Sequence, residues 1–271
     1  MRLGNRVAIV TGGAGRIGTA IIRRFHQEGA KVAIVDQDEA RIAAAYDEAG
    51  VPSDARLSIA GDVALEETAV EMAEKTVKKF GRLDSVVTAV FWSKRGDATE
   101  IELDEWNRCM AVTLTSTFLA IKHSVPVIID TAGSGSVTAI SSIHGTHPGD
   151  RYAMYATAKA GLNMMIQAMA LDFTPKGVRV NGVAPGATLP DDYDEGPQRN
   201  SVGMLAYPLG RPMRAHEIAD AVLFLTSDEA SAITGQTILV DGGVSIPLAD
   251  MLVSKSHATV MADPARFGVK Q

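Results

Sequence analysis

Cysteine is all but missing from this chain. The single thiol, Cys109, excludes any disulfide within the chain, so stability has to come from packing, as suits a reducing compartment. Cys109 itself reads as a small buried apolar residue. Basic residues are also in deficit, 26 against 32 acids, and the net charge of -6 speaks against nucleic acid or anionic membranes as partners, since both reward basic patches. No uncharged apolar run approaches the roughly 18 residues that a membrane span needs. The stretch Val7 to Val10 is too short for a signal-peptide core and runs into glycines. A soluble, cytoplasmic protein is expected. Internal repeats and linkers are lacking too, so the 271 residues, 46% apolar and 21% charged, are expected to form one domain spanning 1–271 with a large core.

What is present is a regular alternation. Short β-branched runs at Arg6 to Val10, Lys31 to Val35, Leu57 to Ala60, Leu83 to Thr88, Ser136 to Ile140, Val178 to Val183 and Thr237 to Val240 predict seven strands. Between them, helical patterns fall at Ile17 to Glu28, Glu39 to Ala49, Leu65 to Phe80, Asp104 to Ile129, Tyr152 to Phe173 and His216 to Thr226. Crossovers of this length join parallel strands, which predicts an α/β fold with a doubly wound, parallel, seven-stranded sheet and helices on both faces. Two segments stand outside the alternation. The stretch of about 186–213 is long enough to be a lid over a binding site. The tail 244–271 either frays or covers a neighbouring surface.

The first strand-to-helix turn reads TGGAGRIG, Thr11 to Gly18. Glycines there let phosphates approach, and the N–H groups and dipole of the following helix favour an anionic pyrophosphate. Gly13, Gly15 and Gly18 match G-x-G-x-x-G in a strand-turn-helix setting. Asp36 closes the second strand 18 residues after Gly18, near the spacing of an acid that accepts from the adenosine ribose hydroxyls. A 2'-phosphate would meet carboxylate repulsion there, so NAD is expected rather than NADP. The competing reading of Asp36 is a helix N-cap, for which Asp38 is better placed. Arg16 could lie along the pyrophosphate or reach toward a 2'-phosphate, and with Asp36 nearby the former is favoured.

Tyr155-Ala-Thr-Ala-Lys159 places a phenol and an ammonium on one helix face. A cation beside a phenol favours the phenolate, which suits proton transfer to an alcohol or carbonyl. With these motifs in place, residues 5 to 243 resemble the short-chain dehydrogenase/reductase family. Ser142, thirteen residues before Tyr155 in the stretch GSVTAISSIHG, occupies the place of the family's catalytic serine. Further likenesses are Asp62-Val63 (adenine), Asn181-Gly-Val-Ala-Pro185-Gly186 (nicotinamide), and Thr234-Gly-Gln through Asp241-Gly-Gly. The resemblance implies that Ser142 hydrogen-bonds the reacting oxygen, that Tyr155 exchanges its proton, and that Lys159 lowers the tyrosine pKa and holds the nicotinamide ribose. The remaining cofactor contacts it implies are Gly12, Gly15, Arg16, Ile17, Gly18, Ala89 and Thr188. A homotetramer is also implied, pairing through the fourth and fifth helices and through the C-terminal segment.

Four departures stand out. Arg16 replaces a glycine, and Gly12, Gly15 and Gly18 follow T-G-x-x-G-x-x-G instead. Thr88-Ala89-Val90-Phe91 replaces Asn-Asn-Ala-Gly after the fourth strand. Thr113 stands where many members use an asparagine to anchor a proton-relay water, and Pro190 replaces a threonine, with Thr188 nearby for the nicotinamide amide. On the substrate side, Trp92 and His144 are expected to line the pocket, with Lys94 and Arg95 suiting an oxygen-rich or anionic compound. His144 and His147 have no third ligand at a convincing spacing, so no metal is expected. The acidic run Asp191, Asp192, Asp194, Glu195 reads as a solvated loop. The expected function is NAD-linked hydride transfer with a small polar alcohol or ketone, a polyol, sugar or sugar acid. The alternatives are a catalytically weak NAD-binding scaffold or sensor subunit, and non-redox chemistry such as epimerisation.

Overall fold

The structure, a computed structural model, describes residues 1–192 and 207–246. Its main sheet is made of β1 (Val7–Thr11), β2 (Lys31–Asp36), β3 (Arg56–Ala60), β4 (Ser85–Thr88), β5 (Gly135–Ile140), β6 (Val178–Pro185) and β9 (Thr237–Val240). Their order is β3-β2-β1-β4-β5-β6-β9, every neighbour parallel, as the alternation predicts. Because β1 sends its chain to β2 on one side and faces β4 on the other, a crevice opens beyond its carboxyl end.

Strand residues alternate between two apolar layers, as a sheet covered on both faces requires. Ala8, Val10, Val32 and Ile34 pack with α1 (Arg16–Gln27), α2 (Glu39–Ala49) and α7 (Ala215–Thr226) on one face. Ile9, Ala33, Val35, Val86 and Val137 pack with α3 (Glu66–Phe80), α5 (Ser116–Ala132) and α6 (Ala153–Phe173) on the other. Asp38, not Asp36, caps α2, accepting from Ala40 and Arg41 N–H. The helix closes on Gly50 in the left-handed region. Tyr46 from α2 inserts its hydroxyl between β2 and β3, accepting from Ile34 N and donating to Leu57 O at 2.6 Å. That buckle fixes the strand whose last residue is Asp36.

The helix expected over Asp104 to Ile129 is longer and is interrupted. It runs as α4 (Leu103–Met110), a π-helical turn at Ala111–Thr115, and α5. Side-chain hydroxyls account for the distortion: Ser116 bonds back to Val112 O at 2.6 Å, and Thr113 bonds out to the loop after β4. Hydropathy alone cannot show this. The same stretch is long and apolar enough to cross a membrane, yet 56% of its apolar window is buried within the fold, as in a core helix.

Asn181 and Thr234, motif residues of the sequence, stitch the far side of the sheet. Asn181 donates to Ile233 O and accepts from Gln236 N, while Thr234 accepts from Val180 N. Both described ends of the expected lid are clasped: β7 (Thr188–Leu189) pairs with β8 (Met213–Arg214), and Met213 N donates to Ala187 O. Asp194, Glu195 and the middle of that segment, residues 193–206, lie outside the described residues, as does the tail from 247 onward. Asp191 is not a free solvated acid. It accepts from the backbone N–H and the ring of His216, so that its carboxylate caps the start of α7.

Candidate active site

The turn between β1 and α1 is held by close backbone contact. Gly12 has φ +69°, and a Cβ on Gly18 would sit 2.2 Å from Gly12 O, so neither position accepts a side chain without rearrangement. Gly15 begins α1 with no side-chain cap, which leaves first-turn N–H groups turned to the crevice. One cavity of about 410 Å³ is lined by Gly12, Gly15, Arg16, Ile17, Gly18, Ala89, Ser142, Tyr155, Lys159, Pro185, Gly186 and Thr188. Residues scattered from 12 to 188 in sequence are thus brought to one place.

An adjoining cavity of about 280 Å³ carries Asp36, Gln37, Arg41, Val63, Trp92 and Arg108. Asp36 accepts from Gln37 N at 2.9 Å and from Ala14 N at 3.3 Å, so its carboxylate is turned toward the glycine loop. Asp62 does not line this cavity; it is bound by Ala64 N and by the Arg108 guanidinium at 2.8 Å. Burial works to raise its pKa, but these partners prevail and hold the carboxyl below its ordinary value. Arg16 reaches neither Asp36 nor the ribose side. Its guanidinium donates to Thr188 O at 2.6 Å and closes the cavity from the opposite wall.

Lys159 sits one helical turn after Tyr155, on the inner face of α6, where it is 2% exposed. Its Nζ donates to Ile140 O at 2.6 Å and lies 5.7 Å from the Tyr155 ring centroid. Burial lowers its pKa to about 7. Burial pushes the Tyr155 phenol the other way, upward, and its hydrogen-bond partner Ser142 draws it part of the way back.

Thr113 is fully buried in the π turn, and both halves of its hydroxyl are engaged: it accepts from Trp92 N and donates to Trp92 O, each at 3.1 Å. This clasp fixes the chain leaving β4. It also corrects the placement of Trp92, whose side chain packs with Cys109, Met154 and Ala158 and lines the Asp36 cavity rather than the substrate side. The substrate-side cavity, about 500 Å³, is walled by Phe91, Ser93, Arg95, His144, Tyr152, Tyr155 and Tyr207. His144 is where the sequence places it, stacked on Tyr152 at 4.7 Å. Tyr152 and Tyr207 carry no motif that could have marked them. Lys94 is paired with Glu105 at 2.5 Å and is not among the lining residues.

The buried lysine, with three donors and one acceptor in place, and the side-chain-free turn below Asp36 together fit a dinucleotide with its diol at Lys159. Comparison with known proteins agrees. The profile of a family described as "Enoyl-(Acyl carrier protein) reductase" matches residues 12–245. Glucose 1-dehydrogenase of Gluconobacter oxydans is 29% identical over 249 residues, covering 90% of this chain and 94% of that protein. The 2,5-dichloro-2,5-cyclohexadiene-1,4-diol dehydrogenase LinX of Sphingobium indicum is 35% identical over 252 residues, covering 90% and 98%. Trans-4-hydroxycyclohexanecarboxylate dehydrogenase of Sinomonas cyclohexanicum is 35% identical over 248 residues, covering 89% and 93%.

The buried ammonium has a consequence for stability. An unfolded lysine stays protonated up to its ordinary value of 10.5, whereas the folded one releases its proton near 7. Between those values the unfolded chain binds the extra proton, so this group's penalty is full below about 7 and fades as pH rises. Lys159→Met is therefore expected to raise Tm in scanning calorimetry at pH 6.5, with a smaller gain at pH 9.5. A lowered Tm at both pH values would refute the assignment of this burial as a net cost.

Proposed function

The chain belongs to the short-chain dehydrogenase/reductase family and is an oxidoreductase acting on CH–OH groups; on that footing we propose that it transfers hydride between NAD and a small polar secondary alcohol or its ketone. The observation that carries the reading is the convergence of Ser142, Tyr155 and Lys159 on one cavity with the glycine turn. The chain acts as one dinucleotide-binding and catalytic domain in the cytoplasm. Its substrates are proposed among polyols, sugars, sugar acids and cyclic alcohols, since the similar proteins are named for a sugar, a cyclic diol and a cyclic hydroxy acid.

A nicotinamide cofactor held in this crevice would supply the hydride acceptor or donor. The chain's own residues do the rest. Gly12, Gly15, Ile17 and Gly18 hold the pyrophosphate by backbone approach, Asp36 takes the adenosine ribose, and Val63 and Ala89 flank the adenine side. Pro185, Gly186 and Thr188 hold the nicotinamide end, with Arg16 tying that wall to α1. Lys159 gives two N–H groups to the nicotinamide ribose. Ser142 donates to the reacting oxygen, and Tyr155 takes its proton during oxidation or returns it during reduction. Thr113 acts on the site through Trp92, by fixing the loop that carries Phe91 and Arg95.

Tyr155→Phe is expected to leave NAD affinity nearly intact and to lower kcat by about 10² to 10⁴-fold. Burial raises the phenol pKa, so the phenolate is the minor form at neutral pH and grows about tenfold per pH unit. Alcohol oxidation should accordingly rise with pH into the alkaline range, and Tyr155→Phe should lack that limb. NADH absorbance across a panel of the proposed substrate classes reads both effects. NAD binding without turnover by any of them would favour the scaffold reading.

NAD is expected to bind more tightly than NADP in titration calorimetry, because the Asp36 carboxylate would repel a 2'-phosphate. Arg41 lines the same cavity and donates to Ala14 O at 3.2 Å. With Asp36→Ala the repulsion goes and the cation stays, so the preference should narrow or reverse. Equal affinities in the unaltered protein would sink the assignment.

A homotetramer is proposed on the apolar faces left outside: Phe118 of α5 is 42% exposed, and Met164 and Leu171 of α6 are 63% and 80% exposed. Light scattering should show the oligomer at micromolar concentration. A monomer there would refute it.

A further inference from the structure

Arg95 stands at the mouth of the substrate-side cavity with a charge that no carboxylate answers among the described residues. The charged groups around it pair with one another, Lys94 with Glu105 and Arg151 with Asp97 and Glu100. The position is held from both sides. Gly96 N donates to Arg151 O and Gly96 pairs with Tyr152 in a parallel bridge, which ties the loop after β4 to the start of α6. The Arg95 guanidinium lies 4.7 Å from the Tyr152 ring centroid and donates from Nη2 to the Tyr152 hydroxyl at 2.7 Å. Stacking and one hydrogen bond orient the group while leaving four of its five N–H donors without a partner among the described residues.

The rest of the cavity tells what such a cation would meet. Phe91, His144, Tyr152 and Tyr207 give it ring walls, and among the described residues no acid lines it. Ser93 also lines it, its hydroxyl buried and without a hydrogen-bond partner among the described residues. His144 Nδ1 is 3.0 Å from His147 O, which puts the neutral ring's proton on Nδ1 and leaves Nε2 as an acceptor. Tyr155, the reacting end, is 5.9 Å from Tyr152 between ring centroids, so the phenol and the guanidinium both flank the Tyr152 ring in one cavity.

Resting on the dehydrogenase reading above, we propose that the substrate is a ring-bearing secondary alcohol or ketone with a carboxylate across the ring from the reacting carbon, and that Arg95 holds this carboxylate. The aromatic walls bury the ring, and the guanidinium offers a planar fork to two carboxylate oxygens. A neutral substrate of the same shape would leave that cation facing the ligand unpaired.

Matched probes test this: 4-(1-hydroxyethyl)benzoate against 4-(1-hydroxyethyl)benzamide as alcohols, and 4-acetylbenzoate against 4-acetylbenzamide as ligands. The unaltered protein should favour the carboxylate alcohol by about tenfold or more in kcat/KM, mainly through KM. In Arg95→Gln the ratio should fall toward one, and Arg95→Lys should recover part of it. Calorimetric titration of the two ketones into protein saturated with oxidised NAD, where no hydride can pass to the ketone, reads binding apart from turnover. Arg95-dependent binding of acetylbenzoate without turnover of either alcohol would uphold the anion site and overturn the redox reading. Turnover of both alcohols at a ratio near one, or a ratio that survives Arg95→Gln, would overturn the anion site and leave the redox reading standing. Absence of both turnover and Arg95-dependent binding overturns the proposal as well.

Discussion

An ammonium buried to 2% exposure against one carbonyl is an unfavourable thing to build, and the site depends on it. Lys159 can be held there only because α6 lies along the sheet with Ala158, Leu162 and Ile166 in the core, so that its position relative to Ile140 at the end of β5 does not vary. The same packing fixes Tyr155 one turn earlier and sets it against Ser142 at the start of the loop after β5. Two elements in register therefore specify three functional groups. The cost appears as the depressed lysine pKa, and it is recovered when donors left over at Nζ find acceptors in a ligand.

The parallel seven-stranded sheet and the helix positions were legible because a sheet covered on both faces writes its pattern plainly: short β-branched runs separated by helices of crossover length. The residues at the carboxyl ends of the strands were legible for a related reason, since glycines and a terminal acid have few other uses there. What was not legible came from local competition between side chain and backbone. Nothing in the periodicity of Asp104 to Ile129 announces that Thr113 will leave the helical ladder for Trp92, so the π turn was missed, and with it the rotation that carries Trp92 away from the substrate side. Tyr152 and Tyr207 were invisible because an aromatic residue beside a cavity looks, in sequence, like one beside a core. Arg16 was placed near the phosphate by its neighbours in the chain, whereas its length lets it reach Thr188, 172 positions further on.

That reach changes how the crevice is closed. In the glycine turn, the contact between Gly18 and Gly12 O brings α1 hard against the loop, and a glycine at position 16 would leave the outer side of that helix end bare. With arginine there, the helix end is bonded to the segment after β6, whose two described ends are clasped by β7 and β8. The substitution does not obstruct the phosphate position; it adds a strut between the two walls on either side of it. Asp36 and Arg41 stand at the other end of the glycine turn, both bonded to the Ala14 backbone.

Thr113 gives the same lesson at the reacting end. A carboxamide has two donors and an acceptor with two lone pairs, enough to hold a backbone and still anchor a water. The threonine hydroxyl has one donor, already given to Trp92 O, and one of its two lone pairs is taken by Trp92 N. The clasp on the loop is therefore kept while the capacity to organise a further proton carrier is reduced. The loop it holds is the one that diverges in sequence, Thr88-Ala89-Val90-Phe91, and that carries Arg95 to the Tyr152 ring. Retaining the clasp with the smaller residue fixes the substrate-facing wall.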